Sequence, residues 1–123
     1  MPELPEVETV SKSIEKHLIG KSFSELCVFW PKVLHNFSNL DFKHHIRNKK
    51  IIRVYRRAKF IIIDFKSGIL AVHLRMTGKL YVLSDVGEGK KHMSAFLKFS
   101  NKYLIFEDVR KFGRFYFYSN IQE

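Results

Sequence analysis

From residue 51 onward the chain is a succession of short β-branched and aromatic runs cut by two- and three-residue turns. That punctuation leaves little choice of fold. Residues 51–57 and 59–65 read as two strands, and Ser67-Gly68 turns the chain into a third over 69–75. Met76-Thr77-Gly78 leads into 79–83, and the polar, glycine-bearing stretch 84–91 reads as a mobile loop. Strands follow at 93–99, 102–107 and 114–118, with Ser100-Asn101 as a tight hairpin turn. A further strand over 22–30 ends at Trp30-Pro31. Short strands joined by tight turns pair antiparallel, and a sheet with one apolar face needs a second layer to cover it. The expectation is an α+β, mostly β domain. It is a two-layer β-sandwich, or a flattened barrel, of seven to eight antiparallel strands flanked by two helices.

The first helix is the N-terminal one. Leu4, Val7, Val10, Ile14 and Leu18 recur at three- and four-residue spacing, and Gly20 supplies a stop. Ser38 caps the second, short helix, which runs to about Ile46 with Leu40, Phe42 and Ile46 on its apolar side. No repeat, low-complexity tract or internal linker divides the chain, so 1–123 reads as one domain.

Charge narrows the partner. The chain carries 22 Lys+Arg against 12 Asp+Glu, a formal net charge of +10. That balance favours a polyanion, either nucleic acid or an acidic membrane surface. No apolar run is long enough to span a bilayer, and an acidic N-terminus is the wrong start for a signal peptide. Cys27 is the only cysteine, which leaves no intrachain disulfide and no cysteine zinc cluster. The six histidines show no metal-ligand spacing. These readings point to a cytoplasmic protein without a metal.

The N-terminus holds an unusual reagent. Pro2 follows the initiator Met1 in the run Met1-Pro2-Glu3-Leu4-Pro5-Glu6-Val7-Glu8-Thr9. Removal of Met1 exposes a secondary amine, which can attack a sugar carbon or aldehyde and form an iminium. An α-amino group titrates near pH ~7.7–8.0, so a neutral fraction is available. Glu3 stands next to it as a proton carrier. The same residues also suit a helix start, with Pro5 in the first turn and acids facing the positive helix end.

Two further features suit nucleic acid. Between 43 and 59 stand Lys43, Arg47, Lys49, Lys50, Arg53, Arg56, Arg57 and Lys59, with no Asp or Glu among them after Phe42. Such a run is either a solvated face or a phosphate-tracking surface. Alternation turns Lys59 to the same side as Ile61 and Ile63, partly indoors. The turns His73-Leu74-Arg75-Met76-Thr77-Gly78 and Asp108-Val109-Arg110-Lys111-Phe112-Gly113 are basic, apolar and glycine-bearing. Met76 and Phe112 are core residues or, at exposed tips, wedges for a base stack, and Arg110 suits base edges. His92, after Lys90-Lys91, suits a phosphate.

Taken together and in order, these four segments resemble the N-terminal domain of bacterial formamidopyrimidine-DNA glycosylases: the Pro-Glu-Leu-Pro-Glu-Val-Glu-Thr start, Arg56-Arg57-Ala58-Lys59, His73 to Gly78, and Asp108 to Gly113. The resemblance covers the whole chain. It implies base-excision repair of oxidised purines (8-oxoguanine and formamidopyrimidines) in double-stranded DNA, with lyase activity at abasic sites. The damaged nucleotide is flipped out of the stack. It assigns Pro2 as the nucleophile at C1′, Glu3 as acid/base, and Lys59 as the residue that positions the nucleotide and supports strand cleavage. Met76, Arg110 and Phe112 match the trio that fills the void. Glu6 matches a site-lining acid, and His92, with Arg110, a DNA contact. Family members continue into a helix–two-turn–helix domain and a four-cysteine zinc finger, neither of which is in these 123 residues. The resemblance therefore implies a monomeric, nucleoid-associated protein, no cofactor in this chain, and weak or no activity from the domain alone. Val109 replaces a usual proline, and Ser94 a frequent second histidine. An endonuclease VIII-like glycosylase is the nearest relative of this pattern, but Leu4-Pro5 and the Met76/Arg110/Phe112 trio favour the formamidopyrimidine branch. A non-catalytic DNA-binding module on the same scaffold, and a membrane-surface or acidic-protein binder, are the competing readings.

Overall fold

The structure, a computed structural model, describes residues 3–87 and 92–119. Residues 88–91 of the expected mobile loop lie outside that range, as does Pro2. Helix α1 spans Leu4–Leu18 and α2 Asn39–His45. The strands are β1 Phe23–Val28, β2 Arg53–Arg57, β3 Phe60–Asp64, β4 Gly68–His73, β5 Gly78–Leu83, β6 Met93–Phe99, β7 Lys102–Asp108 and β8 Arg114–Ser119. They form two four-stranded sheets, in the orders β1-β6-β7-β5 and β2-β3-β4-β8, and every pair is antiparallel. This is the two-layer sandwich with two helices that the punctuation requires.

The strand period sorts the faces. Val54, Ile61, Ile63, Leu70, Val72 and Phe115 point inward from one sheet. They meet Leu26, Leu80, Ala95, Leu97, Leu104 and Phe106 of the other. Phe106 and Phe115 touch between the sheets at 5.2 Å, and Phe23 packs edge-on against Phe65 and Phe99. Aromatic pairs at such tilted geometry add to the burial term.

Helix α1 buries Val7, Ser11, Ile14 and Leu18, and Gly20 follows its end at φ +82°. A left-handed residue just past the last turn is the usual glycine stop. Leu4 departs from expectation: it is exposed, because the stripe drifts as 3.6 fails to divide its spacing. Ser38 caps α2 as expected, its Oγ accepting from the Asp41 N–H at 3.1 Å while Asp41 Oδ2 accepts from the Ser38 N–H. Those bonds to the charged carboxylate hold the Asp41 pKa below the usual carboxylate value. Phe42 and Ile46 are buried, but Leu40 is 62% exposed. The helix has two turns and presents one narrow face, and Leu40 lies on the other side of it.

Strand boundaries move inward where backbone pairing ends. Ile51 and Ile52 precede β2 rather than belong to it, although Ile51 is buried. The segment 29–33 leaves β1 early and forms a single 3-10 turn at Pro31–Val33.

Candidate DNA-binding and catalytic site

Helix α1 opens with Glu3 at its N-cap, whose N–H donates to Glu6 Oε1 at 2.7 Å. Glu6 thus closes the helix start and also lines an open cleft of about 430 Å³. Val10, Leu74, Met76 and Thr77 line the same cleft. One turn separates Glu6 from Val10, so this face of α1 looks at the turn between β4 and β5. Glu8 lies two residues on, on the other side of the helix. Its Oε1 accepts from Arg56 Nε at 3.0 Å, and Arg56 Nη1 donates to the Ala58 carbonyl at 2.9 Å. The start of α1 is therefore held between the β2–β3 turn, which carries Lys59, and the β4–β5 turn, which carries Met76.

Lys59 is half-buried, but it lies in the β2–β3 turn, one residue before β3, so strand alternation does not set its direction. Its neighbour in charge is His73. Burial first, then Arg75 and Lys59, push the His73 pKa below the ordinary imidazole value. The Arg75 N–H donates to His73 Nδ1 at 3.0 Å, a bond that needs an unprotonated Nδ1. His73 therefore favours its neutral form in the fold. Stability from this group is full above the unfolded value of ~6.5 and falls as pH drops toward the lowered one. A histidine titration by NMR should place His73 below ~6.5. Lys59→Met should raise that midpoint without restoring it fully, since burial remains. A midpoint at or above ~6.5 in the unaltered chain contradicts the arrangement.

Between β7 and β8, Val109, Arg110, Lys111 and Phe112 are exposed, with Phe112 at 47% and Met76 at 44%. Arg110 and Phe112 pack together, guanidinium to ring, at 5.2 Å. The expectation that Met76, Arg110 and Phe112 occupy neighbouring tips has a specific cause. Asp108 is wholly buried. Its Oδ1 accepts from Thr77 Oγ1 at 2.5 Å and from the Arg110 N–H at 3.1 Å, and its Oδ2 accepts from the Gly113 N–H at 2.7 Å. One carboxyl thus ties the Met76 turn to both ends of the Arg110–Phe112 turn. The Asp108 N–H donates in turn to the His92 carbonyl at 2.8 Å, bringing half-buried His92 to the same corner. Lys111 places its ammonium over Trp30, 5.4 Å from the ring centre. Gly113 has no room for a side chain, since a Cβ there would stand 2.2 Å from Phe106 Cζ.

Sequence reasoning passed over Asp108 and Thr77, because one acid inside a basic motif carries no pattern. It also passed over a shared backbone feature. Ala58, Arg75 and Lys111 have φ of 53°, 59° and 61°, and they immediately precede Lys59, Met76 and Phe112. Left-handed conformations cost a non-glycine residue of order 1–3 kcal/mol and cluster at functional sites. Asn48, Lys66 and Ser100 adopt the same conformation at turns that carry none of the candidate residues. Ser94, two residues past His92, points inward and is 1% exposed.

Among the described residues no three of His, Cys, Asp and Glu gather to hold a metal. With Cys27 as the single cysteine, the four-thiolate site of the resemblance has no ligands in these residues. No described helix is long and apolar enough to cross a membrane.

Comparison with known proteins gives one answer. The family described as the formamidopyrimidine-DNA glycosylase N-terminal domain matches residues 1–115. A formamidopyrimidine-DNA glycosylase of Carboxydothermus hydrogenoformans is 38% identical over 95% of this chain and 45% of its own length. One from Streptococcus thermophilus is 41% identical over 94% of this chain and 42% of its own. Among solved structures, Lactococcus lactis Fpg with an abasic-site-containing DNA superposes at a TM-score of 0.89 with 32% identity, over 97% of this chain and 45% of that one. The same protein with an N7-benzyl-Fapy-dG DNA gives 0.88 and 34%, over 96% and 44%. The chain spans less than half the length of these relatives.

Proposed function

Since the chain belongs to the family of formamidopyrimidine-DNA glycosylase N-terminal domains, we propose that it is the nucleophile-bearing half of a bifunctional DNA glycosylase and abasic-site lyase acting on oxidised purines. The observation that carries this reading is the Asp108 clamp, which presents an exposed methionine, arginine and phenylalanine together at one corner. Side chains of that size and polarity fill the gap left when a nucleotide leaves the stack. The cleft lined by Glu6 and Met76 adjoins them.

In this reading the Pro2 nitrogen attacks C1′ of the flipped nucleotide. The C1′–N bond breaks and the base leaves with the proton lost by the proline nitrogen; the C1′–O4′ bond then opens, O4′ takes a proton, and an iminium joins protein to sugar. Glu3, exposed at the helix start, carries protons during base loss and ring opening. Lys59 positions the nucleotide and supports the elimination that cuts the strand. His92 and Arg110 contact the DNA backbone and the bases. Lys43, Arg47, Lys49, Lys50, Arg53 and Arg57 are exposed, and they extend the cationic surface.

Half a clamp binds weakly, so affinity is read directly. Anisotropy titrations should show this chain preferring an abasic-site duplex to an intact one, with affinity falling at least ~100-fold between low and physiological salt. Phe112→Ala should reduce the preference by about tenfold, with intact-duplex binding kept. Equal binding of both duplexes, unchanged by Phe112→Ala, favours a non-catalytic DNA-binding module instead.

A further inference from the structure

The outer face of the β2-β3-β4-β8 sheet is built unlike the outside of an ordinary sandwich. Register places Tyr55, Ile62, Ala71 and Tyr116 in one row across it. The next row on one side is Arg57, Phe60, His73 and Arg114, and on the other Arg53, Asp64, Ile69 and Tyr118. Ile62 and Ala71 are buried, yet they stand apart from the main core cluster. Tyr116 is in contact with Phe60 at 5.6 Å and with His35 at 4.7 Å. Tyr116 and Tyr118 lie parallel, 6° apart in plane and 6.3 Å between centres. Tyr118 is 44% exposed.

Arginines frame these rings. The Arg53 guanidinium lies 4.1 Å from the Tyr55 ring centre, a flat cation on a flat ring. Arg75 Nη2 donates to the Tyr116 hydroxyl at 3.2 Å. Asp64 is the one acid in the three rows, and its Oδ1 already accepts from the Lys66 N–H at 2.8 Å. A sheet face of rings interleaved with cations matches an extended polyanion that carries its own flat rings. The strand repeat of ~6.8 Å over two residues is about twice the ~3.4 Å rise of a nucleic-acid strand. Duplex DNA does not offer its base faces, whereas a single strand does.

We propose that this face is a stacking platform for single-stranded DNA, separate from the Met76–Arg110–Phe112 corner. Arg75 joins the two, since it precedes Met76 in the turn while its guanidinium holds Tyr116. A strand unpaired at the corner can continue over the sheet. Bases stack on Tyr116 and Tyr118, and Arg53, seated on the Tyr55 ring, meets the phosphates.

The test is an anisotropy titration of the whole chain with a fluorescein-labelled thymidine homopolymer, beside an intact duplex. Tyr118→Ala should weaken strand binding about tenfold, with duplex affinity unchanged. Tyr118→Phe should restore it, because stacking needs the ring and not the hydroxyl. Tyr118 is exposed enough that its replacement leaves the core intact, and a melting curve verifies this. Strand affinity within twofold of the parent, equal losses on the duplex, or the same loss from Phe112→Ala overturns the platform. The trial is independent of the glycosylase reading, since it involves neither Pro2 nor a lesion.

Discussion

Asp108→Ala should lower the stability of this domain by about 3–5 kcal/mol, a large part of the ~5–15 kcal/mol that holds a typical domain. Three donors lose their acceptor at once: the Thr77 hydroxyl and the N–H groups of Arg110 and Gly113. The Gly113 bond is buried, so water cannot replace it without opening the loop. An unmet buried donor costs about 1–3 kcal/mol, whereas the partly buried Arg110 N–H recovers some of its bond from solvent. The removed carboxyl also leaves a void beside Phe106, whose ring packs against the Gly113 backbone. In a melting experiment the loss amounts to roughly 10–20 °C. Asp108→Asn keeps one acceptor oxygen and should fall between the two. The functional consequence is separable: the Met76 turn and the Arg110–Phe112 turn come untied, so preference for an abasic duplex should vanish even at temperatures where the variant is folded. A melting point within ~2 °C of the parent would show that the clamp carries little of the fold.

The clamp also marks how far the sequence could be read. Element type follows from local rules: the 3.6 period of Val7, Ile14 and Leu18, the cap at Ser38 and the Ser100-Asn101 hairpin are all decided within a few residues. Strand positions are also legible, but burial does not fix their register, since β3 and β4 each bury three residues in a row, Ile61 to Ile63 and Leu70 to Val72. Tip exposure of Met76 and Phe112 was only one of two readings from the residues alone; their motif context favoured it. Asp108 was illegible because its importance lies in donors 31 residues upstream and five downstream, which meet only in the folded sheet. The left-handed turns at Ala58, Arg75 and Lys111 were illegible for the opposite reason. No glycine marks them, and at Ala58 the carbonyl is held by Arg56, which is itself fixed by Glu8 of α1, 48 residues away. Leu40 was misjudged because α2 buries Phe42 alone among its residues.

The largest functional effect should come from a single covalent detail, the fate of Met1. With Met1 in place the Pro2 nitrogen is a tertiary amide, with neither a lone pair to give nor a proton to exchange, and attack at C1′ is impossible. With Met1 removed it is a secondary amine, neutral in part near pH ~7.7–8.0. Trapping needs only one bond per protein and not turnover, so a domain that binds DNA weakly can still report it. Borohydride reduction of the Met-free chain on an abasic duplex should give a covalent adduct. Peptide mapping should place that adduct on the segment beginning at Pro2. The chain that retains Met1 should give none there. An adduct mapped to Lys59, or one formed equally well with Met1 retained, would contradict the nucleophile on which the proposed activity depends.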